Sequence, residues 1–474
     1  MDIRDICYRV ERLTTRWKAN LSARVRTSLC GGMAAACQRA SGSSVRPNII
    51  LVTVDSLRAD RVGYLANEPT LTPNLDRLAA ESVRFTKAIA PASWTKPSVS
   101  SLLTGLYPSV HGANRRGAFG AKVTENADRT RANVIRPGVV TLSELLTRAG
   151  YTTAAFTGGG FTHAVYQSRG FQYFYGSGHG LRDLSYQCAR WFASRPPSPF
   201  FVWLHAYDTH RPYQGRFPLA RFVRRRPFNL TNADVKAING GRLLLAPDQQ
   251  DRLVRLYENG VRYADRQFGF LLRALQSSSL LERTVLIFTS DHGEALYEHH
   301  LVEHSDVIYN EVLKVPLLIR VPGIQPRTVD QYVRLIDLTP TVLELTDIPV
   351  PEVQGVSLLP AMLEGKNLRL TAFSELETAG RPRALQCTLR GLDYKIIRWM
   401  DTGQISFFNL TADPGEKDDL WGQDVPVKQQ LLARLNAQLE ENNARAARFE
   451  VNVKEEPEVG WEVEQRLRDL GYVD

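Results

Sequence analysis

Asn48-Ile-Ile-Leu-Val-Thr-Val54 is an unbroken apolar run rich in β-branched side chains. Such a run, without polar alternation, is typical of a strand buried on both faces of a parallel sheet. Two similar runs lie at Phe200–His205 and Thr284–Thr289, and long helical patterns such as Gln249–Leu275 stand between them. Strands that alternate with helices predict an α/β fold with a largely parallel sheet.

The composition divides the chain into three segments. Residues 1–46 form a basic leader. Residues 47–365 contain the alternating strands and helices, and we expect them to form the main, catalytic domain. In residues 366–474, short strand-like runs separated by turn residues predict a C-terminal subdomain with an antiparallel sheet, followed by a charged helical tail.

Charge and hydropathy exclude several classes of protein. Of the net charge of +9, the leader carries +6, so the rest of the 474 residues is nearly neutral and predicts no nucleic-acid-binding face. No run approaches the roughly 20 apolar residues that span a bilayer. The five cysteines are scattered without a Cys-x-x-Cys pair, so they predict no structural zinc site.

The leader has the outline of an export signal. In residues 20–44 a basic stretch precedes a short run of small apolar residues and a Ser/Gly linker, and Ala34-Ala-Ala-Cys37 resembles a lipoprotein cleavage site. This pattern favours an exported protein, periplasmic, extracellular or lipid-anchored, over a cytoplasmic one. A disordered basic leader is the alternative interpretation.

Polar side chains follow three of the predicted strands. Asp55, His205 and Asp291 each stand at or just beyond a strand end, where the ligands of parallel sheets bind. Asp291 and His292 are adjacent and could approach one ion, to which Asp55 would add a second carboxylate. Two carboxylates and an imidazole suit Mn²⁺ or Zn²⁺ better than Ca²⁺, and such an ion could activate a hydroxyl nucleophile.

Longer stretches from Pro47 to Leu420 resemble, in order, the motifs of the sulfatase family within the alkaline phosphatase superfamily. The matching stretches are Asn48-Ile-Ile-Leu-Val-Thr-Val-Asp55, Thr72-Pro-Asn-Leu-Asp-Arg-Leu78, Thr95-Lys-Pro-Ser-Val-Ser-Ser-Leu-Leu-Thr-Gly105, Tyr107-Pro-Ser-Val-His-Gly112, Leu204-His-Ala-Tyr-Asp-Thr-His-Arg-Pro-Tyr213, Ser290-Asp-His-Gly-Glu294, Tyr309-Asn-Glu-Val-Leu-Lys-Val-Pro316, Asp337-Leu-Thr-Pro-Thr341 and Phe408-Asn-Leu-Thr-Ala-Asp-Pro-Gly-Glu416. The resemblance implies a three-layer αβα sandwich around a mostly parallel sheet, with a small C-terminal α+β subdomain.

The family signature Cys/Ser-x-Pro-x-Arg falls on Thr95-Lys96-Pro97-Ser98-Val99. In the family the Cys or Ser becomes a formylglycine nucleophile, which Thr95 cannot become by the usual route. The stretch therefore resembles the phosphate-processing branch of the superfamily, which includes lipoteichoic acid synthases. By that resemblance Asp55, Thr95, Asp291 and His292 would hold one divalent ion, with Thr95 as nucleophile.

The groups that contact the substrate in the family are only partly retained. Ser56 stands where the family has a second Asp, and residues 157–160 lack the family's Lys and His. The resemblance leaves His210, His304 and Lys96 to contact the anionic group of the substrate.

The implied function is a metal-dependent hydrolase of sulfate-type or phosphate-type esters. Its substrate would be an anionic ester on a small molecule, a glycan or a lipid headgroup, and its ion Mn²⁺ or Zn²⁺, with Ca²⁺ as a third option. Phosphate or phosphonate esters are favoured because the formylglycine route is closed. The alternatives are a phosphoglycerol or phosphoethanolamine transferase and a non-catalytic relative that binds anions.

Several of these residues also have interpretations without catalysis. Thr95 could be only a helix N-cap, His205 a structural histidine at a strand end, and Glu294 a partner of His292 or a solvated loop residue. In addition, His300-Leu-Val-Glu303-His304 matches the His-x-x-Glu-His signature of inverted zinc peptidases. That interpretation requires a helix and makes His300 essential.

Overall fold

The computed structural model describes residues 46–66, 70–114, 135–158, 168–177, 180–194, 196–213, 230–304, 308–378, 381–389 and 393–449. The predicted leader therefore lies outside the described residues, apart from Arg46. Gly159 and Gly160, in the stretch that lacks the family's Lys and His, also lie outside them.

Fourteen strands form the sheets of the described part. They are β1 (Asn48–Val54), β2 (Val83–Ile89), β3 (Thr152–Gly158), β4 (Tyr173–Ser177), β5 (Phe200–Ala206), β6 (Thr284–Thr289), β7 (Ala295–Leu296), β8 (Val302–Glu303), β9 (Lys314–Arg320), β10 (Arg327–Arg334), β11 (Ala372–Thr378), β12 (Arg381–Leu389), β13 (Tyr394–Trp399) and β14 (Ile405–Asn409).

The main sheet has eight strands in the order β10-β2-β9-β6-β1-β5-β3-β4. All neighbouring pairs are parallel except those of β9, which runs antiparallel to both β2 and β6. The predicted mostly parallel sheet is therefore confirmed. β1 is buried along its whole length between β5 and β6, which explains its unbroken apolar sequence.

Eleven α-helices complete the described structure. They are α1 (Pro73–Ala80), α2 (Thr95–Thr104), α3 (Pro108–His111), α4 (Leu142–Arg148), α5 (Leu181–Ala193), α6 (Asn232–Asn239), α7 (Pro247–Ser277), α8 (Asn310–Leu313), α9 (Leu338–Leu345), α10 (Leu359–Glu364) and α11 (Val427–Arg448). None of the helices in the described part is both long and apolar enough to cross a membrane.

Alternate side chains of β1 enter two separate cores, because successive residues of a strand point to opposite faces. Ile49 and Leu51 pack with apolar residues of α2, α4, α9 and α10. Ile50 and Val52 pack with apolar residues of α1, α5, α6 and α7. Helices therefore cover both faces of the sheet, as expected for a three-layer αβα sandwich.

The C-terminal part forms the predicted antiparallel sheet, with the strand order β11-β12-β13-β14. Its apolar face packs on α11 and on Tyr107 near the start of α3, around Phe373 and Ile396. α10 ends at Gly365 in a left-handed conformation with φ 68°, and the domain boundary at residue 365 stays a prediction.

Candidate active site

Three neighbouring strands end at the same edge of the sheet and bring the predicted polar residues together. In the sheet register Thr53 of β1 lies beside His205 of β5 and Thr289 of β6. Asp55 and Asp291 therefore follow their strands at the same level. Both carboxylates and His205 are completely buried.

Asp55 is held in place by its own strand end. Its backbone N–H donates to the carbonyl oxygen of Ala206 over 2.8 Å, and the Thr209 hydroxyl donates to its carbonyl oxygen. Ser56 then turns the chain in a left-handed conformation, with φ 59°, and its hydroxyl donates to Asp55 Oδ1 over 2.6 Å. The residue that replaces the family's second Asp thus orients the first.

Thr95 is the first residue of α2, and its hydroxyl points to the same place. Oγ1 donates to Asp55 Oδ2 over 2.8 Å and lies 3.3 Å from Nε2 of His292. The residue at the N-cap is Trp94, with extended backbone and no side-chain capping bond. The interpretation of Thr95 as only an N-cap is therefore wrong. The positive end of the α2 dipole favours negative charge at this oxygen.

A tight network of hydrogen bonds fixes the Ser290–His292 turn. The single proton of the Ser290 hydroxyl lies between two acceptors, the carbonyl oxygens of Val54 and His292, and Oγ accepts the N–H of Leu57. Asp291 Oδ1 accepts the N–H of His292 over 2.9 Å and that of Ser56 over 3.3 Å. Asp291 Oδ2 has no hydrogen-bond partner among the described residues. One carboxylate oxygen is therefore left open toward Asp55 and His292.

His205 presents a lone pair to the same space. Its Nδ1 lies 2.6 Å from Thr53 Oγ1, which donates its own proton to the carbonyl oxygen of Leu204. In the tautomer in which Nδ1 of His205 donates to Thr53 Oγ1, the lone pair of the neutral ring is on Nε2. Nε2 lies 3.7 Å from Asp55 Oδ2 and has no hydrogen-bond partner in the described part of the chain. His205 thus joins the site that the sequence analysis assigned to other residues.

His292 is arranged in the same way. Its Nδ1 lies 2.9 Å from the carbonyl oxygen of Gly293 and donates there, so Nε2 is the lone-pair atom. Nε2 lies 3.5 Å from Asp291 Oδ2 and 3.9 Å from Asp55 Oδ1. These separations are too long for hydrogen bonds and short enough for ligands that share one small ion.

The two carboxylates titrate against each other. Burial raises the pKa of Asp55, but the imidazoles of His210, His205 and His292 together hold it well below its usual range. Burial and the charge of Asp55 raise the pKa of Asp291 well above its usual range. Two buried carboxylates this close cannot both ionise easily unless a further positive charge neutralises them.

The chemistry of this donor set fits a divalent ion. Ligand atoms of Asp55, His205 and Asp291 all lie within 4.8 Å of one another, and His292 faces both carboxylates. The unpartnered atoms are the ones that an ion would bind, His205 Nε2 and Asp291 Oδ2. A mixed shell of imidazole nitrogens and carboxylate oxygens suits Mn²⁺ or Zn²⁺ better than Ca²⁺.

His304 and His210 form the next layer of the site. The His304 ring lies 4.3 Å from the ring of His292 and 5.3 Å from that of His210, measured between centroids. Burial lowers the pKa of His304 well below its usual value. Nδ1 of His210 lies 2.5 Å from the carbonyl oxygen of Arg211. The structure thus places both predicted substrate-contacting histidines beside the carboxylate pair.

Glu294 is completely buried and pairs with His304, at 3.3 Å between Oε1 and Nδ1, rather than with His292. Neither interpretation that the sequence left open for this residue is correct. Burial raises the pKa of Glu294 to about 8.

Lys96 and Val99, the second and last positions of the family signature, are both buried in α2. Val99 lies in the apolar core under the sheet, so no cation replaces the family's Arg at this position. Burial, Arg136 and the charge of Lys96 together lower the pKa of His111 to about 3. The Lys96 ammonium thus lies within electrostatic range of His111, and its contact with a substrate stays a prediction.

The interpretation as an inverted zinc peptidase is wrong. Residues 298–300 form a 3₁₀ turn interrupted at His299, and Val302–Glu303 is a strand, so no helix carries both histidines. His300 is exposed and its ring packs edge-on against Tyr297, whereas His304 is buried in the site.

Comparison with known proteins agrees with these observations. A model of the sulfatase family matches residues 47–348, and a model described as N-sulphoglucosamine sulphohydrolase, C-terminal, matches residues 298–445. The chain is 28% identical over 408 residues to an endo-4-O-sulfatase from Bacteroides thetaiotaomicron, an alignment that covers 71% of this chain and 75% of the relative.

Solved structures share the fold at low sequence identity. A sulfatase from Bacteroides fragilis, described as putative, superposes with a TM-score of 0.70 at 21% identity, over 87% of this chain and 99% of that one. A phosphonate monoester hydrolase from Agrobacterium radiobacter superposes with a TM-score of 0.68 at 19% identity, over 85% and 96% of the two chains.

Proposed function

Because the chain belongs to the sulfatase family and is a sulfatase-like ester hydrolase, we propose that it is metal-dependent and that Thr95 is its nucleophile. Phosphate or phosphonate monoesters are the proposed substrates. The observation that carries the proposal is the position of Thr95 Oγ1, 2.8 Å from Asp55 Oδ2 and 3.3 Å from His292 Nε2, at the start of α2.

Four residues would hold the ion: Asp55, Asp291, His205 and His292. The argument for them is that their lone pairs converge and that His205 Nε2 and Asp291 Oδ2 lack other partners in the described part. When bound, such an ion supplies positive charge that lowers the pKa of a nearby hydroxyl and stabilises an anionic ester group. Thr95 borders this donor set and would complete it.

The residues of the chain prepare Thr95 for attack. Asp55 Oδ2 holds the proton of Thr95 Oγ1, which fixes the hydroxyl rotamer and turns the oxygen lone pairs away from the carboxylate. The α2 dipole favours the alkoxide that attack requires. Because Thr95 begins a completely buried helix, its Cα cannot shift easily. Orientation of this kind supplies much of the rate enhancement of enzymes.

The reaction would proceed in two displacements. Thr95 Oγ1 forms a bond to phosphorus while the bond to the ester oxygen breaks, and the leaving alcohol takes up a proton. The proton of Thr95 thus leaves with the alcohol. Water then attacks phosphorus, the bond between phosphorus and Thr95 Oγ1 breaks as phosphate departs, and a proton of the water passes to Thr95 Oγ1.

His304 would donate a hydrogen bond from Nε2 to the anionic group when the protonated Glu294 carboxyl donates to its Nδ1. His210, whose Nδ1 faces the carbonyl oxygen of Arg211, would donate from Nε2 in its imidazolium form. Lys96, next to Thr95 in the sequence, would be a third contact.

The choice of phosphorus over sulfur rests on residue 95. Sulfate-ester hydrolysis in the family uses formylglycine, and Thr95 has no route to it. A threonine ester of phosphate can be resolved by water attack at phosphorus. The buried Val99, in place of the family's Arg, is consistent with a pocket whose anion contacts differ from those of the family pattern.

The direct experiment compares p-nitrophenyl phosphate, p-nitrophenyl phenylphosphonate and p-nitrophenyl sulfate as substrates, with Mn²⁺ or Zn²⁺ added. We expect turnover of the phosphorus esters and a phosphoryl mass gain that maps to Thr95. Thr95→Ala should lose activity by about 10⁴-fold or more, as is usual for a nucleophile, and Thr95→Ser should retain part of it.

The matched control is Thr104→Ala, which removes the hydroxyl of another threonine of α2 that donates to the carbonyl oxygen of Ser100 and accepts the N–H of Leu106. This variant should keep full activity. Turnover of the sulfate ester alone would contradict the substrate assignment. Activity that survives in Thr95→Ala would contradict the nucleophile assignment.

A further inference from the structure

The loop that delivers His304 to the site is strained. Between Glu294 and His304 the chain forms a small hairpin, hereafter the 295–303 hairpin, from β7, a 3₁₀ turn and β8. Four of its non-glycine residues have left-handed backbone conformations: Tyr297 (φ 89°), His299 (φ 52°), His300 (φ 57°) and Glu303 (φ 65°). Such conformations cost free energy and persist only when surrounding contacts impose them.

One of the contacts on this hairpin is an aromatic stack. The ring of His299 lies parallel to that of Tyr309, with 3.8 Å between centroids and 11° between planes. His299 Nε2 also lies 3.9 Å from Glu311 Oε1. The hairpin therefore packs against segment 308–313, which contains α8.

The same segment supports the turn that carries Asp291 and His292. The N–H of Gly293 donates to the carbonyl oxygen of Val312 over 2.6 Å, and that of Glu294 to Glu311 over 3.1 Å. A Cβ on Gly293 would lie 2.1 Å from the carbonyl oxygen of Glu311, so only glycine allows this close approach. Segment 308–313 thus contacts both the 295–303 hairpin and the turn that carries Asp291 and His292.

A buried ion pair of the C-terminal sheet holds segment 308–313. Lys395 of β13 and Glu416, after β14, lie 2.7 Å apart, and their side chains are 0% exposed. Lys395 Nζ donates to the carbonyl oxygen of Ile308 over 2.8 Å, and Glu416 Oε2 accepts the N–H of Asn310 over 2.6 Å. The pair therefore hydrogen-bonds to the backbone of the residues before and after Tyr309. Lys395 Nζ also lies 6.0 Å from the Tyr309 ring centroid.

We propose that Lys395 and Glu416 are positioning residues, which act through segment 308–313 and the 295–303 hairpin to set His304 against Asp291 and His292. The C-terminal sheet is then part of the catalytic unit rather than an appendage. Because the inference concerns His304 and the ion-binding turn, it rests on the proposed function. A misplacement of reacting groups by about 1 Å can cost about 10²-fold in rate, so a remote pair can matter this much.

The test uses the full chain and two readouts, hydrogen–deuterium exchange of peptides that cover residues 293–304 and steady-state kinetics on p-nitrophenyl phosphate. The variants are His299→Ala, which removes the stack but no buried charge, and the double variant Lys395→Met with Glu416→Gln, which avoids leaving one buried charge alone. We expect exchange in this region to become about tenfold faster in both. We expect kcat to fall by about tenfold to 10²-fold while KM stays within about twofold.

Two matched controls separate positioning from general stability. His300→Ala changes the neighbouring histidine, which is exposed and does not stack on Tyr309. Arg398→Met removes a cation from the same strand as Lys395, where it donates instead to Asn436 of α11. Both controls should leave the exchange of residues 293–304 and kcat unchanged.

The proposal is overturned if the double variant melts earlier while its kcat and its exchange in residues 293–304 match the wild type, or if His299→Ala and His300→Ala behave alike. The exchange readout needs neither metal nor substrate. It therefore tests whether Lys395 and Glu416 restrain residues 293–304 even if no ester is turned over and the proposed function fails.

Discussion

Asp291 and Asp337 are both completely buried carboxylates that follow strands of the main sheet, yet their surroundings differ. Each oxygen of Asp337 accepts two hydrogen bonds, from the backbone and guanidinium of Arg334 and from the N–H of Val356. Asp291 accepts two backbone N–H groups and a long contact from the Ser290 hydroxyl on one oxygen, and none, among the described residues, on the other.

The difference separates a carboxylate whose charge is matched within the chain from one that we propose binds an ion. Arg334 neutralises the charge of Asp337, so this carboxylate needs no partner from outside the chain. Asp291 faces a second carboxylate, Asp55, and two imidazole lone pairs. Buried groups left unsatisfied by the chain cost stability and mark the place where an external partner binds.

The largest expected effect is on catalysis. Asp291→Asn should lower kcat/KM on phosphorus esters by about 10³-fold or more, because it removes half of the negative charge that holds the ion. Steady-state kinetics at saturating Mn²⁺ or Zn²⁺ measures this effect. Wild-type activity in this variant would mean that Asp291 is no more functional than Asp337.

Asp337→Ala should show the opposite pattern. It leaves the guanidinium of Arg334 buried without its partner, and the free energy of unfolding should fall by about 3–5 kcal/mol. The kcat of the folded fraction should stay the same. Urea denaturation and kinetics on the same sample test both statements, with Asp330→Ala, at an exposed pair 3.8 Å from Lys87, as a control that changes stability by less than about 1 kcal/mol.

An added ion should stabilise the protein only when the ligand set around Asp291 is intact. At about 100 times its Kd, Mn²⁺ or Zn²⁺ should raise the free energy of unfolding of the wild type by about 2.7 kcal/mol. Asp291→Asn should show little of this gain, whereas Asp330→Ala should show all of it. Thermal melts with and without a chelator provide the measurement. An equal gain in all three proteins would place the ion elsewhere.

Without metal, Asp291→Asn should be more stable than the wild type, by roughly 1 kcal/mol, because it relieves the repulsion between two buried carboxylates. Chemical denaturation in the presence of a chelator measures the difference. Asp337→Asn should instead lower the free energy of unfolding. If both variants change that free energy in the same direction, the contrast between Asp291 and Asp337 is wrong.

Glu375 is an intermediate case and should give the smallest effect. The N–H and hydroxyl of Ser109 and the amide of Asn442 donate to its carboxylate, but burial still raises its pKa above 4.5. The folded state therefore holds this proton more tightly than the unfolded state. Stability from this group is complete below pH 4.5 and is lost as the pH rises through the folded pKa.

The measurement is the slope of unfolding free energy against pH, above pH 4.5, in the wild type and in Glu375→Gln. We expect a shallower decline in the variant. Glu352→Gln, at an exposed partner of Arg445 and Arg448, serves as the control and should leave the slope unchanged. A steeper decline in Glu375→Gln would reverse the sign of the argument.

Local patterns in the sequence were sufficient for the buried strands and for part of the site. β1, β5 and β6 are apolar throughout because both faces are covered, so their bounds and the polar residues at their ends could be predicted. β2 mixes buried and half-buried residues and was not predicted. β9 has a buried apolar centre like the parallel strands, but its antiparallel direction depends on its neighbours and leaves no mark on its own residues.

The sequence by itself determined the α/β class and the strand ends, because burial and periodicity are properties of short stretches. The strand ends made Asp55, Asp291 and His292 candidates, and the resemblance to the sulfatase signature added Thr95. Only the tertiary structure showed that His205 faces Asp55, that Glu294 pairs with His304, and that the Lys395–Glu416 ion pair contacts the backbone of Ile308 and Asn310. These contacts join distant parts of the chain: Thr53, which sets the tautomer of His205, lies 152 residues away from it. Packing of the sheet brings such residues together, and no local sequence pattern predicts which distant residues will be in contact.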